Sequence, residues 1–146
     1  MAIGQGIRDG QDVGGYGYNA YGVGSQSYLY GSIQGAARGM SPGSIRQPAR
    51  TVMFADAAFP QSEDGVTRLI EYSFAEPYRH IADRQPLETY VADPSIHFRH
   101  GGGANVVWCD GHVSAERMTL SETAGGFESW NIGWFGGPDN ELFDPF

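Results

Sequence analysis

The dipeptide Asp110-Gly111 is the feature that most constrains the fold of this chain. It stands between two runs of strand-forming residues, 105–109 and 112–116. Asp-Gly in this position is typical of a β-hairpin, because both central residues of a type I′ turn need a positive φ. The sequence therefore predicts an antiparallel hairpin with a two-residue turn.

The register of this hairpin follows from the turn. A two-residue turn places Cys109 opposite His112 and Trp108 opposite Val113. Because side chains alternate between the two faces of a strand, the pattern also predicts one apolar face, which we expect to look into the core. The residues predicted on that face are Val106, Trp108, Val113 and Ala115.

Two further strands are predicted upstream of the hairpin. Residues 51–56 form an apolar run that ends at Asp56, and a buried carboxylate there needs a partner. Residues 66–74 fit a period of two. Prolines interrupt residues 76–94, which predicts a long loop with a helical turn or two near residues 86–91. The predicted fold class is mainly β (α+β with little helix), with an antiparallel sheet of about four strands.

Glycine and tyrosine dominate the first 39 residues, which hold 11 of the 22 glycines and five of the eight tyrosines. Because a flexible linker lacks large side chains, we expect irregular chain packed over the sheet. The tail, residues 125–146, is too aromatic to be solvated. A chain of 146 residues with 19 aromatic side chains is expected to form a single domain over residues 1–146.

The charge pattern excludes some partners. The net charge is −8, and all nine basic residues are arginines scattered along the chain. No basic run could follow a phosphate backbone, so nucleic acid is excluded as a partner. Cys109 is the single cysteine, which excludes an intrachain disulfide. No apolar run is long enough to span a membrane.

Several side chains offer possible metal ligands. Oxygen ligands in the Gly-rich turns, including Asp110, Asp139 and Asn140, suit calcium, and a solvated acidic surface is the alternative. His97 and His100 are three residues apart, which would place both on one side of a helix but not of a strand. We therefore expect His100 and His112 to bond to backbone or carboxylate groups rather than to zinc.

A catalytic role is not expected. Cys109 and His112 are the thiol and imidazole pair expected to touch, but no third group to orient them is evident. Such an enzyme would need a cleft that contains Cys109, His112 and Asp110, whereas Asp110 is expected in the turn. A strand cysteine usually behaves as a small hydrophobic residue.

Three stretches resemble one bacterial family, the prepilin-type H-x9-DG proteins, in which a His is followed after nine residues by Asp-Gly. His100 and Asp110-Gly111 have this spacing. Residues 16–21 and 44–56 are similar to upstream parts of the same family, in the same order. Together the three stretches cover about residues 16 to 115.

The resemblance implies the globular head of a pilin-like or type II secretion pseudopilin-like subunit, at the cell surface or secreted. The prepilin cleavage signal and apolar N-terminal helix of the family are absent from the sequence, so we expect the chain to correspond to the C-terminal part of such a protein. In related pseudopilins a calcium ion steadies the C-terminal loops, and the resemblance points to Asp110, Asp139 and Asn140. The family motif residues expected to be structural are His100, Asn105, Asp110 and Gly111.

These observations predict a non-enzymatic structural subunit that self-assembles or joins other pilin-like subunits into a filament. The alternative is a carbohydrate-binding module, since exposed aromatic rings beside Asp and Asn are typical of glycan sites. An exposed line of Trp130, Trp134 and tyrosines would favour the glycan, and rings buried between chains would favour assembly.

Overall fold

The computed structural model describes residues 15–24, 38–82 and 85–146, and within them no helix reaches seven residues. No helix in these ranges has the length and apolar character needed to cross a bilayer. Short 3-10 helices cover Pro42–Ser44, Pro48–Arg50 and Phe127–Trp130. The strands are β1 (Gly15–Asn19), β2 (Val52–Glu63), β3 (Val66–Glu71), β4 (Phe74–Ala75), β5 (Arg79–Ala82), β6 (Gln85–Val91), β7 (Ile96–His97), β8 (Gly103–Trp108), β9 (Val113–Arg117) and β10 (Ile132–Gly133).

Strand β2 organises an eight-stranded sheet. It pairs with β1, β3, β7 and β8, while β9 pairs with β8, β10 with β7 and β4 with β1. The mainly β prediction is confirmed, but the prediction of about four antiparallel strands is wrong. The sheet is mixed, because β1 runs antiparallel to β2 and parallel to β4. Strands β4, β7 and β10 have two residues each, too few to leave a periodic pattern in the sequence.

Strand β1 shows how the Gly/Tyr-rich chain enters the sheet. Tyr16 is exposed and Gly17 is buried, so the alternation of tyrosine and glycine is a strand period. A Cβ atom at Gly17 would lie 2.4 Å from the backbone carbonyl carbon of Phe74, so only glycine lets β1 and β4 pair. The prediction of irregular chain is wrong for residues 15–19. For residues 1–14 and 25–37 the same prediction concerns chain that lies outside the described residues.

The Pro-rich segment contains a hairpin in place of the predicted loop and helical turn. Strands β5 and β6 pair antiparallel as a separate two-stranded sheet, with Ile81 opposite Pro86. Both strands of such a sheet are edges, where proline removes no necessary ladder hydrogen bond. The predicted strand 66–74 is also shorter, because β3 ends at Glu71 and β4 begins at Phe74.

The predicted hairpin is present, with a register shifted by one residue. Val107 pairs with Val113, and the Gly111 N–H donates to the Trp108 carbonyl at 2.9 Å. The loop therefore has three residues, and Gly111 alone among them has a positive φ, 93°. This combination is a type I turn followed by a left-handed glycine, which also favours Asp-Gly. The prediction of a two-residue type I′ turn is therefore wrong.

The shifted register changes which residues face the core. Trp108 is buried, as predicted, but Val113 is 63% exposed and Ala115 is exposed. Ser114 and Glu116 instead share the inner face with Val106. Val113 and Ala115 are therefore on the outer face of the sheet, and their predicted place in the core is wrong.

The inner face of the sheet carries the main core. Small buried residues such as Ala55 and Ala104 leave room there for Phe98 and for the C-terminal Phe135 and Phe143. A second cluster lies beside β3 and contains Ala58, Leu69, Phe127 and Ile132. The aromatic tail thus packs into the protein, as the sequence predicts.

The outer face carries a row of apolar side chains, here named the outer stripe. Register partners on five adjacent strands, β4, β1, β2, β8 and β9, form it, and none of them is fully buried. The ring centres of Tyr18 and Phe54 are 4.0 Å apart. In sheet order the outer stripe consists of Phe74, Tyr18, Phe54, Val107 and Val113.

Candidate functional site

A buried carboxylate lies at the centre of the conspicuous sequence motifs. Asp56 is fully buried in β2, accepts two hydrogen bonds and lies against a third polar group. The Arg99 guanidinium donates to its Oδ1 atom, and the backbone N–H of Asn105 donates to Oδ2 at 2.7 Å. The Nε2 atom of His100 lies 3.0 Å from the same Oδ2. Asp56 is thus the partner of the motif histidine.

The glycines after His100 explain how these groups reach Asp56. The backbones of His100 and Gly103 bond to each other in both directions, at 2.9 and 3.2 Å. Gly101 and Gly102 have φ values of 63° and 83°, a left-handed conformation that other residues rarely adopt. The chain therefore reverses tightly before β8, in which Asn105 lies beside Asp56.

Arg99 extends this cluster to the first strand. Its Nη2 atom also donates to the backbone carbonyl of Gly15 at 2.9 Å, so one guanidinium joins β1, β2 and the turn before β8. The side chain of Arg99 is only 9% exposed, whereas that of His100 is 52% exposed. Because Asp56 is inaccessible and its two oxygens are occupied, it can hold strands together but has no face left for a substrate.

Asn19 forms a second buried polar anchor. Its Nδ2 atom donates to the carbonyls of Val52 and Phe143, both at 2.8 Å, and its Oδ1 atom accepts the Tyr21 N–H at 2.8 Å. The amide is fully buried, and each of its two donor hydrogens has a partner. It fastens the C-terminal segment to β1 and β2.

Asp110 and His112 form a contact at the tip of the β8–β9 hairpin. Asp110 Oδ1 accepts the His112 N–H at 3.0 Å and lies 2.6 Å from His112 Nδ1. The backbone bond and then the imidazole bond lower the pKa of the Asp110 carboxyl. The imidazole also stacks on Trp108, with ring centres 5.5 Å apart and planes 8° from parallel. Asp110 therefore shapes the loop.

Cys109 does not pair with His112 as predicted, because the shifted register puts Trp108 opposite His112. The thiol lies 3.7 Å from the Val52 carbonyl oxygen instead. Burial, and then the charge of Asp110, raise the pKa of Cys109 to about 11. At neutral pH the thiol is protonated, a state that is a poor nucleophile.

The positions predicted for calcium bond to nearby backbone. Asp139 Oδ1 accepts the Glu141 N–H at 3.0 Å. The Asn140 amide accepts the Arg79 N–H at 2.7 Å and donates to the Arg79 carbonyl at 3.0 Å. Asp110 is engaged with His112 in the hairpin loop. Calcium binding by Asp110, Asp139 and Asn140 stays a prediction.

The positions of the histidines and tryptophans bear on the metal site and the glycan site considered above. His97 is buried in β7, whereas His100 lies half-exposed against Asp56. Within the described ranges, no group of three or more His, Cys, Asp or Glu side chains is arranged to hold a metal ion. Trp134 is 1% exposed and Trp130 is half-buried, so the tryptophans do not form an exposed line.

Two residues of the polar clusters were not singled out from the sequence. Arg99 directly precedes His100, and the need of Asp56 for a partner was the signal that could have indicated it. Asn19 lies within the stretch 16–21 that resembles the family. Its contact with Phe143 joins residues 124 positions apart, which no local pattern reveals.

Comparison with known proteins found no matching family model, no matching curated protein and no matching solved structure.

Proposed function

We propose that this protein is a non-enzymatic, pilin-like structural subunit that acts at the cell surface or outside the cell and assembles with copies of itself. One observation carries the proposal: the three stretches that resemble the H-x9-DG family meet around Asp56 and Asn19. The polar groups placed there are used to join strands. Stretches whose polar groups join strands in this way are what a structural subunit needs.

The chemistry of the remaining candidate residues supports a structural role. The thiol of Cys109 is held protonated, and the carboxylate of Asp110 is occupied by the backbone and ring of His112. The outer stripe, by contrast, ends at the exposed Val113 and offers an apolar surface for contact with another protein. We therefore place assembly ahead of glycan binding, since the buried Trp134 cannot stack on a sugar.

Sedimentation combined with negative-stain microscopy tests this function. The purified chain is examined over a wide concentration range, with calcium at about the millimolar level typical of extracellular calcium modules and then with a chelator. Filaments, rings or a concentration-dependent rise in mass support a self-assembling subunit. Loss of assembly on chelation would assign a role to calcium, and the Asp139→Ala variant would then be expected to behave like chelated protein.

A strictly monomeric chain in every condition would overturn autonomous assembly. As a matched comparison, binding to immobilised polysaccharides is measured on the same preparation. Retention on a polysaccharide by a monomeric chain would favour the carbohydrate-binding alternative.

A further inference from the structure

We propose that the outer stripe is the surface through which two copies of this chain contact each other. The inference rests on the proposed function and specifies its contact surface. The outer stripe consists of Phe74, Tyr18, Phe54, Val107 and Val113, each the register partner of the next. Adjacent strands are about 4.8 Å apart, so the row spans about 19 Å across the sheet.

Val113, at the β9 end of the outer stripe, is its most exposed residue. Tyr18, Phe54 and Val107 are half-buried, and Val113 on the edge strand β9 is 63% exposed. Tyr16, on the same face and 59% exposed, widens the apolar surface beside the row. Tyr16 and Val113 are thus exposed on the same sheet face as the half-buried rings of the outer stripe, and apolar side chains grouped on one face mark a contact surface more often than isolated ones do.

Charge favours a second copy as the partner. The chain has a net charge of −8, yet the five residues of the outer stripe are uncharged at neutral pH. Asp56, which follows Phe54 by two residues on the same face, is buried against Arg99 and His100. Two copies that meet through this face therefore avoid the repulsion that opposes contact elsewhere. A strongly basic partner would find no acidic side chain on the row to bind.

The form of the surface also suits a two-fold contact. A pair related by a two-fold axis must bury the same patch on both copies, and an uncharged apolar row is complementary to itself. Two sheets pack face to face at about 10 Å, a distance that apolar side chains fill by interdigitation.

The area of the outer stripe sets the expected affinity between two copies of the chain. A row about 19 Å long and about 7 Å wide, the spacing of residues i and i+2 along a strand, covers on the order of 130 Å², against the roughly 800 Å² per partner of a stable pair. A single contact is therefore weak, and association depends on concentration. Salt strengthens it, because about 0.1 M salt screens charges more than about 10 Å apart while leaving the apolar contact intact.

Two matched variants test the surface by sedimentation velocity at low and high salt. Val113→Asp adds one carboxylate to the outer stripe, and Val66→Asp adds the same group to an exposed valine of β3, away from the row. We expect the association constant to fall at least tenfold in Val113→Asp and to change little in Val66→Asp. Thermal melting is measured for both variants, and unchanged melting temperatures are expected because both valines are exposed.

The outcomes separate the two proposals. If the chain assembles and Val113→Asp assembles as well as the parent chain does, the outer stripe is the wrong surface and the proposed function stands. If the parent chain is monomeric under all conditions, autonomous assembly and this contact are both overturned. If Val113→Asp lowers the melting temperature of a monomeric chain, the row is covered within its own molecule and the contact between copies is wrong.

Discussion

The side-chain amide of Asn19 donates to the backbone carbonyl of Phe143 at 2.8 Å, across 124 positions of the chain. The same Nδ2 atom binds the carbonyl of Val52, and Oδ1 binds the Tyr21 N–H. One amide thus joins the first strand, the central strand and the C-terminal segment. Such a contact makes the two ends of the described chain depend on each other for stability.

Replacing Asn19 with Ala is expected to destabilise the protein strongly. The substitution removes three hydrogen bonds and leaves buried backbone groups unpaired, at a cost of about 1 kcal/mol or more for each bond. Urea unfolding should show a loss of roughly 3 kcal/mol. Gln61→Ala, which removes an exposed amide from β2, serves as the control and should change stability little. Equal effects of the two substitutions would contradict the anchoring role of Asn19.

The contacts of Asp56 predict which of two substitutions, at Asp56 or at His100, lowers the free energy of unfolding more. Asp56→Asn should cost about 3 to 5 kcal/mol, because the buried Arg99 guanidinium then loses its ion pair with the Asp56 carboxylate. His100→Ala should cost less, since the His100 side chain is half-exposed and Arg99 and Asn105 still hold the carboxylate. Thermal and urea unfolding of the two variants measure the order. A larger loss in His100→Ala would show that the histidine, and not the arginine, holds the cluster.

The backbone conformation of the β8–β9 loop predicts that alanine is less well tolerated at Gly111 than at Gly43. Gly111 has a φ of 93°, whereas Gly43 does not have a positive φ, and neither has an atom within 4 Å of the position where a Cβ would be added. Gly111→Ala should therefore destabilise the protein by about 1 kcal/mol through backbone strain alone. Gly43→Ala should be neutral or slightly stabilising. A neutral Gly111→Ala would mean that the loop is not the left-handed turn described above.

Alkaline pH should weaken the fold. Burial raises the pKa of Cys109 to about 11, and burial together with Asp144 raises the pKa of Tyr21 to about 12. Both groups bind their protons more tightly when folded, so their contribution to stability is complete below the ordinary thiol and phenol pKa values and is lost as pH rises through the raised ones. Urea unfolding at pH 8 to about 11.5 should show this decline.

Two variants check the origin of the alkaline decline. Cys109→Ser and Tyr21→Phe each remove one titrating group, so each should flatten the decrease in unfolding free energy with pH. The reaction of the Cys109 thiol with a disulfide reagent should also be slow at pH 8 and faster towards pH 11. A fast reaction at pH 8 would contradict the raised pKa of the thiol.

The sequence predicts the features of this fold that depend on neighbouring residues. The hairpin at Asp110-Gly111, the buried Trp108 and the need of Asp56 for a partner all follow from local pattern or from the cost of burying charge. The register does not follow, because Asp-Gly suits both a two-residue turn and a three-residue loop. Because the loop has three residues, Val113 lies on the surface and not in the core, where a two-residue turn would place it.

Other parts of the structure depend on distant contacts. The glycine in the middle of β1 reads as a turn former, and it becomes a strand residue because Gly17 lies against the backbone of Phe74. Asn19 and Arg99 acquire their roles from carbonyl and carboxylate groups that folding brings together from far along the chain. No periodic pattern marks such residues in advance, since the cause is tertiary packing.

The central position of β2 has a consequence for how the chain folds. β2 pairs with β1 before it and with β7 and β8 after it, so the sheet is complete only after long loops have closed on both sides. Folding dominated by such non-local pairing takes milliseconds to seconds rather than microseconds. During that time the parts of β2 that β1 and β8 later cover are bare and open to pairing with other chains. A cell that makes this protein must therefore keep the newly made chain apart from its copies until β8 has docked.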